Sequence, residues 1–128
     1  MTRKQLYKNI INKYNDINFY EFKNEYSIAF SNTMTVFVGN DISCMRTNDS
    51  IFTLLHEIGH IYINNDDERR CVNEYLATVW AINNIRDYNL EINDIEKKEW
   101  QDYIYVCRNK DINNGLIVPD KNKLILWE

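Results

Sequence analysis

The sequence predicts an α+β fold: a short sheet packed on a pair of helices, with further helices flanking the pair and a hairpin at the C-terminus. Three observations carry this reading. Apolar residues recur at helical spacing in four stretches, and two short segments rich in β-branched and aromatic residues stand between the first and second of them. The third observation is size: 128 residues, 45% hydrophobic and 27% charged, with one proline and three glycines, are expected to close one core, so residues 1–128 form one domain without an internal linker.

In chain order, Leu6, Ile10, Ile11, Tyr14 and Ile17 follow helical spacing, and Asn15 and Asp16 supply stop signals, giving an amphipathic helix over residues 3–15. Residues 26–30 and 35–38 read as strands, joined through Ser31, Asn32 and Thr33 as a hairpin or adjacent pair. Residues 39–49 are polar and end in Asn48-Asp49-Ser50, which offers N-cap oxygens to a helix running from Ile51 to Ile63. Asn64-Asn65-Asp66-Asp67 interrupts the period. The next helix covers residues 68–84 and buries Leu76, Ala77, Trp80, Ala81 and Ile85. Asn93, Asp94 and Glu96 open a last helix that reaches Cys107, with Ile95, Trp100, Tyr103, Ile104 and Cys107 on its apolar stripe. Residues 116–118 and 124–127 then flank a turn and read as the C-terminal hairpin.

A formal net charge of −4 and a pI near 5.2 argue against a general phosphate-binding surface, so no direct nucleic-acid partner is expected, and any partner should be a protein. Cys44, Cys71 and Cys107 are odd in number and widely spaced. They suit neither a disulfide framework nor a paired-cysteine metal site, which favours a reducing compartment. No apolar run follows Arg3 and Lys4 to make a signal peptide, and no stretch has membrane-spanning length, so the expected location is cytoplasmic with no membrane contact.

The chemistry lies in His56-Glu57-Ile58-Gly59-His60, an HExxH motif inside a predicted helix that uses both histidines of the chain. A spacing of four puts the two imidazoles on one helical face, where they can bind one zinc ion, and Glu57 stands beside that face as a general base. Chance alone gives such a motif in roughly a few chains in a thousand of this length. A catalytic zinc needs a third protein ligand and an open position. Among Asp66, Asp67, Glu68 and Glu74, the first three follow His60 too closely to turn back readily, whereas Glu74 shares a helical stripe with Ala77 and Ala81, whose small side chains let two helices approach. Glu74 is therefore the expected third ligand. A purely structural zinc fits less well, because closed sites use four ligands. Tyr62, Tyr75, Tyr103 and Tyr105 are candidate oxyanion donors, although packing is the commoner role for each. Cys71 reads as a buried thiol, and Arg69-Arg70 and Lys97-Lys98 as solvated faces.

The segment from Thr53 to His60, the segment Glu74-Tyr75-Leu76-Ala77-Thr78-Val79-Trp80-Ala81 and the strand Thr35-Val36-Phe37-Val38-Gly39-Asn40 together resemble the ImmA/IrrE metallopeptidases. The resemblance implies a minimal zincin-like fold, Zn2+ held by His56, His60 and Glu74, and Glu57 as catalytic base. It also implies a specific protein substrate, since family members of phages and integrative elements cleave repressors and relatives in radiation-resistant bacteria act on a transcriptional regulator. Where that family often has Asp or Asn, this chain has Thr78, whose hydroxyl is expected to orient a ligand. The expected function is thus zinc-dependent endopeptidase action on one regulatory protein; the alternative is an inhibitor module that keeps the scaffold and occludes a host protein. So small a chain is expected to lack an extended substrate groove and to dock its partner through the C-terminal part, Asn109 to Glu128, with its apolar hairpin Leu116 to Trp127.

Overall fold

In a computed structural model, which describes residues 1–128, the elements run α1 Arg3–Lys13, β1 Asn18–Glu21, β2 Ile28–Phe30, β3 Thr35–Val38, α2 Asn40–Ser43, α3 Asn48–Ile63, α4 Arg70–Ile85 and α5 Asp94–Asn113. Short 3-10 turns occupy Ser31–Thr33, Arg86–Tyr88 and Lys121–Leu124. The fold is α+β, as expected. No helix is long and apolar enough to cross a membrane.

Local chemistry explains the helix limits. Thr2 and Gln5 form a reciprocal capping box that starts α1. The helix stops at Lys13, and Ile17 donates its N–H to the Tyr14 carbonyl, turning the chain into β1. That strand lies outside the sequence reading. Phe19 is its one core-packing side chain, and its partner β3 is distant in sequence, so no local period marks it.

The sheet has the order β1-β3-β2, with β1 parallel and β2 antiparallel to β3. The expected strand over residues 26–30 shortens to Ile28–Phe30 because the Ser27 N–H is taken by the Asp41 carboxylate. Gly39 sits at a close crossing: a Cβ there would come within 2.8 Å of the Tyr26 backbone.

Helix α3 begins earlier than predicted, capped by Thr47, whose hydroxyl accepts the Asp49 N–H at 3.2 Å. Asn48 does not serve as the cap, since its side chain bridges Arg3 and the Glu91 carbonyl. Ile51, Phe52, Leu54, Leu55 and Ile58 are fully buried, so α3 is the axis of the core, covered by the sheet on one side and α4 on another. The α3–α4 approach depends on small groups. A Cβ on Gly59 would meet the Ala77 carbonyl at 2.8 Å.

Helix α4 starts at Arg70, two residues later than expected. The buried Asp111 carboxylate accepts the Arg70 and Cys71 N–H groups at 3.1 and 2.8 Å and caps the helix from outside its own sequence. The same contact explains why α5 continues past Cys107 to Asn113. Ile95, assigned to the buried stripe, is 71% exposed, and Ile92 enters the core instead.

The predicted C-terminal hairpin does not form. Gln101 receives the Leu126 N–H and donates to the Leu124 carbonyl, while Arg108 donates to the Pro119 carbonyl. These side chains of α5 satisfy the backbone groups that a hairpin would have paired with each other. Leu124 is buried, and Leu126 and Trp127 pack against the core.

Candidate metal centre

With α3 starting at Asn48, its residues Asp49, Thr53, His56, Glu57, His60 and Ile63 fall on one side of the helix. They form the floor of a cleft of about 930 Å³. At 1.5 Å per residue, the floor from Asp49 to Ile63 is about 21 Å long. One wall is the β2 side, from Tyr26 to Ala29 with Asp41; the other comes from α4 and α5, with Arg70, Asn73, Glu74, Trp100 and Tyr103. An extended groove is therefore present, contrary to the expectation from chain length.

At the middle of this floor three donor atoms converge. Glu74 Oε2 stands 2.9 Å from His56 Nε2 and 2.7 Å from His60 Nε2, and the two imidazole nitrogens are 3.1 Å apart. Tetrahedral zinc with bonds of about 2.0–2.1 Å separates neighbouring donors by about 3.3 Å. The observed spacings fall slightly inside that figure, so small side-chain adjustments suffice for the ion. His56, His60 and Glu74 are also the one group of His, Cys, Asp and Glu side chains that converges in this way. Two nitrogens and one carboxylate oxygen fit Zn2+, and three protein ligands leave one position open to the cleft.

Thr78, fully buried, fixes the tautomer of His56. Its hydroxyl lies 2.7 Å from the Glu74 carbonyl and 3.0 Å from His56 Nδ1. The single hydroxyl proton is donated to the carbonyl, so the oxygen accepts from Nδ1–H and leaves Nε2 with its lone pair toward Glu74 and His60. The expected supporting role of Thr78 thus has a geometry. Burial lowers the pKa of His56, against the pull of Glu74, and keeps the ring neutral as a ligand must be. For Glu74, burial would raise the pKa, yet the hydrogen bonds and charge that His56 and His60 supply when protonated on Nε2 outweigh it and lower the carboxyl; with both nitrogens as lone-pair donors, a zinc ion would take that stabilising place.

The second oxygen of Glu74 is also held. Tyr103 donates its O–H to Oε1 at 2.9 Å and accepts from Arg70 Nη2 at 3.3 Å. Of the four candidate phenols, Tyr103 reaches the ligands, whereas Tyr62 bonds Asp16 and Tyr75 and Tyr105 pack near Cys71 and Cys107. Arg70 is on a solvated face as expected, its side chain 56% exposed, and it also lines the cleft, four residues before Glu74 on α4. Cys71 is buried, as expected. Asp66, Asp67 and Glu68 stay out of the cluster, and Asp67 is drawn to Arg69, whose hydrogen bonds lower its pKa to about 2.

Glu57 is half-buried beside the donors. Burial pushes its carboxyl well above the ordinary value, and the charges of Glu74 and Asp41 push the same way, the direction that suits a group that both takes and returns a proton. Trp100, assigned from sequence to a buried stripe, shields the site: its ring centre is 4.8 Å from that of His56, and its N–H donates to Asp49 at 2.7 Å. No protein-family model, curated protein or solved structure matches this chain, so its chemistry rests on the donor set and the cleft themselves.

Proposed function

We propose that this chain is a zinc-dependent endopeptidase that hydrolyses a peptide bond in a specific regulatory protein of the cytoplasm. The observation that carries the proposal is the convergence of His56, His60 and Glu74 on the floor of an open cleft, with Glu57 next to them. The resemblance to ImmA/IrrE metallopeptidases supports a regulator as substrate.

Zinc in this site supplies a Lewis acid that polarises a carbonyl and acidifies water. Glu57 takes the proton from the attacking water and passes it to the leaving amine, a transfer its raised pKa assists. Thr78, Tyr103 and Arg70 hold the ligand side chains in place. Strand β2 has an unpaired edge, and its residues line the cleft, so an extended segment can add to the sheet there. At about 3.4 Å per residue, a floor of about 21 Å accepts about six residues.

Metal analysis and co-incubation with regulators encoded beside this chain test the reading. About one zinc per chain is expected, lost on replacing His56, His60 or Glu74 by Ala; Glu57→Gln should keep zinc and lose cleavage. Full zinc affinity in Glu74→Ala would move the third ligand elsewhere. Unchanged cleavage by Glu57→Gln would overturn the mechanism. An occluding inhibitor would instead act equally well with Glu57→Gln.

A further inference from the structure

The outer face of the sheet carries an aromatic patch that the core does not use. Tyr20 is 56%, Ile28 41% and Phe30 45% exposed. Phe37 is the hub, with the ring centres of Tyr20, Phe22 and Phe30 at 5.9, 5.5 and 5.9 Å from its own. The register makes the row continuous, since Phe37 pairs with Tyr20 on one side and Ile28 on the other. On the opposite face, Phe19, Val36 and Ala29 pack against the core. The row ends at β2, whose free edge is the cleft wall, and Ile28 belongs to both.

A chain added along β2 becomes the fourth strand, and its side chains alternate between the two faces. Those on the inner face point toward α3 and the metal ligands. Those on the outer face come within about 4.5–5.5 Å of Ile28 and Phe30, measured between Cβ atoms, and lengthen the aromatic row. Charge argues against a second copy of this chain as occupant. The cleft carries Asp41, Asp49, Glu57, Glu74 and Glu99 against the single cation Arg70, and the chain has a net charge of −4, so two copies meeting edge to edge would repel.

We infer that the cleft selects an extended segment of its partner protein in which alternate residues are large and apolar, while the residues between them are neutral or basic. This rests on the peptidase reading of the cleft and names its substrate class. The outward residues gain cross-strand contact with Ile28 and Phe30, and the inward ones meet Asp41, Asp49 and Glu99, the carboxylates of the cleft that zinc held by Glu74 would leave free.

The test uses zinc-loaded Glu57→Gln and two acetylated, amidated, fluorescently labelled hexapeptides of the same composition. One alternates Val or Phe with Lys or Thr; the other gathers the apolar residues in one half. Fluorescence anisotropy should show the alternating peptide binding at least about threefold more tightly. Ile28→Thr/Phe30→Thr should erase the difference, and Tyr20→Thr, two strands from the edge, should keep it. Should the double variant fail to fold, Ile28→Thr alone must reduce the difference. Equal affinities, no binding of either peptide, or a preference that survives in the β2 variants overturns the inference. So does a dimer in sedimentation that the β2 variants split. Glu57-dependent cleavage of a regulator combined with equal peptide affinities defeats this inference alone, whereas alternating preference without zinc binding defeats the peptidase reading.

Discussion

Replacing Thr78 by Val removes one hydroxyl while keeping shape, so it isolates the hydrogen bond that orients His56. In the native chain the hydroxyl bridges the Glu74 carbonyl at 2.7 Å and His56 Nδ1 at 3.0 Å, with no solvent access. Valine leaves Nδ1–H without a partner in a buried setting, which costs about 1–3 kcal/mol. The ring can recover part of this by moving its proton to Nε2, which destroys it as a ligand. Either response weakens zinc. A tenfold change in affinity corresponds to about 1.4 kcal/mol, so the desolvation cost and the roughly 10–100-fold loss usual for such supporting groups agree. Competition with a chromophoric chelator measures the affinity, and thermal unfolding with and without chelator separates it from folding. Thr78→Ser should restore binding. Thr78→Asp satisfies Nδ1–H but cannot donate to the Glu74 carbonyl, so it should recover affinity and lose some stability. Native zinc affinity in Thr78→Val would refute the reasoning.

Gly59→Ala forces a Cβ to within 2.8 Å of the Ala77 carbonyl, so α3 and α4 must separate; a loss of about 1–3 kcal/mol in urea unfolding and a lower zinc affinity are expected, and an unchanged affinity would show that Glu74 follows the shift. Asp111→Asn should cost about 1–3 kcal/mol at pH 7 by weakening the cap on the Arg70 and Cys71 N–H groups. For Asp111, burial raises the pKa, but the bonds from Cys71 and Arg70 outweigh it and leave the folded value lowered. Its contribution is therefore complete above the unfolded value of about 3.9 and is lost as pH falls through the lower folded value, so the stability gap between the native chain and the Asp111→Asn variant should narrow only in that acid window. Deleting residues 116–128 should lower the melting temperature by at least several degrees, because Leu124, Leu126 and Trp127 pack against the core. Circular dichroism on heating decides this.

What could be read from the sequence was what repeats locally. Helices α3 and α4 carry apolar stripes over four turns, and HExxH places two imidazoles by helix geometry alone. Glu74 was readable because the small residues Ala77 and Ala81 share its stripe, and Gly59 completes that contact from the other helix. Elements fixed by distant partners were not readable. β1 is held by β3, the start of α4 by Asp111, and the tail by Gln101 and Arg108.

The same distinction explains the two site residues whose roles changed. Tyr103 and Trp100 sit one turn apart on α5, and sequence periodicity assigns both to a buried stripe. Position along that stripe decides their chemistry. Asn93 and Glu96 fix where α5 begins, and Asp111 ties its far end to the start of α4. Between these anchors Trp100 lies against His56, and Tyr103 meets Glu74. The tail then closes over the other side of α5 and places Trp127 beside Phe52, 6.1 Å between ring centres, with Trp100 on the same phenyl ring at 5.1 Å. Residues 116–128 therefore serve the site by holding α5, the helix whose Tyr103 and Trp100 brace Glu74 and His56.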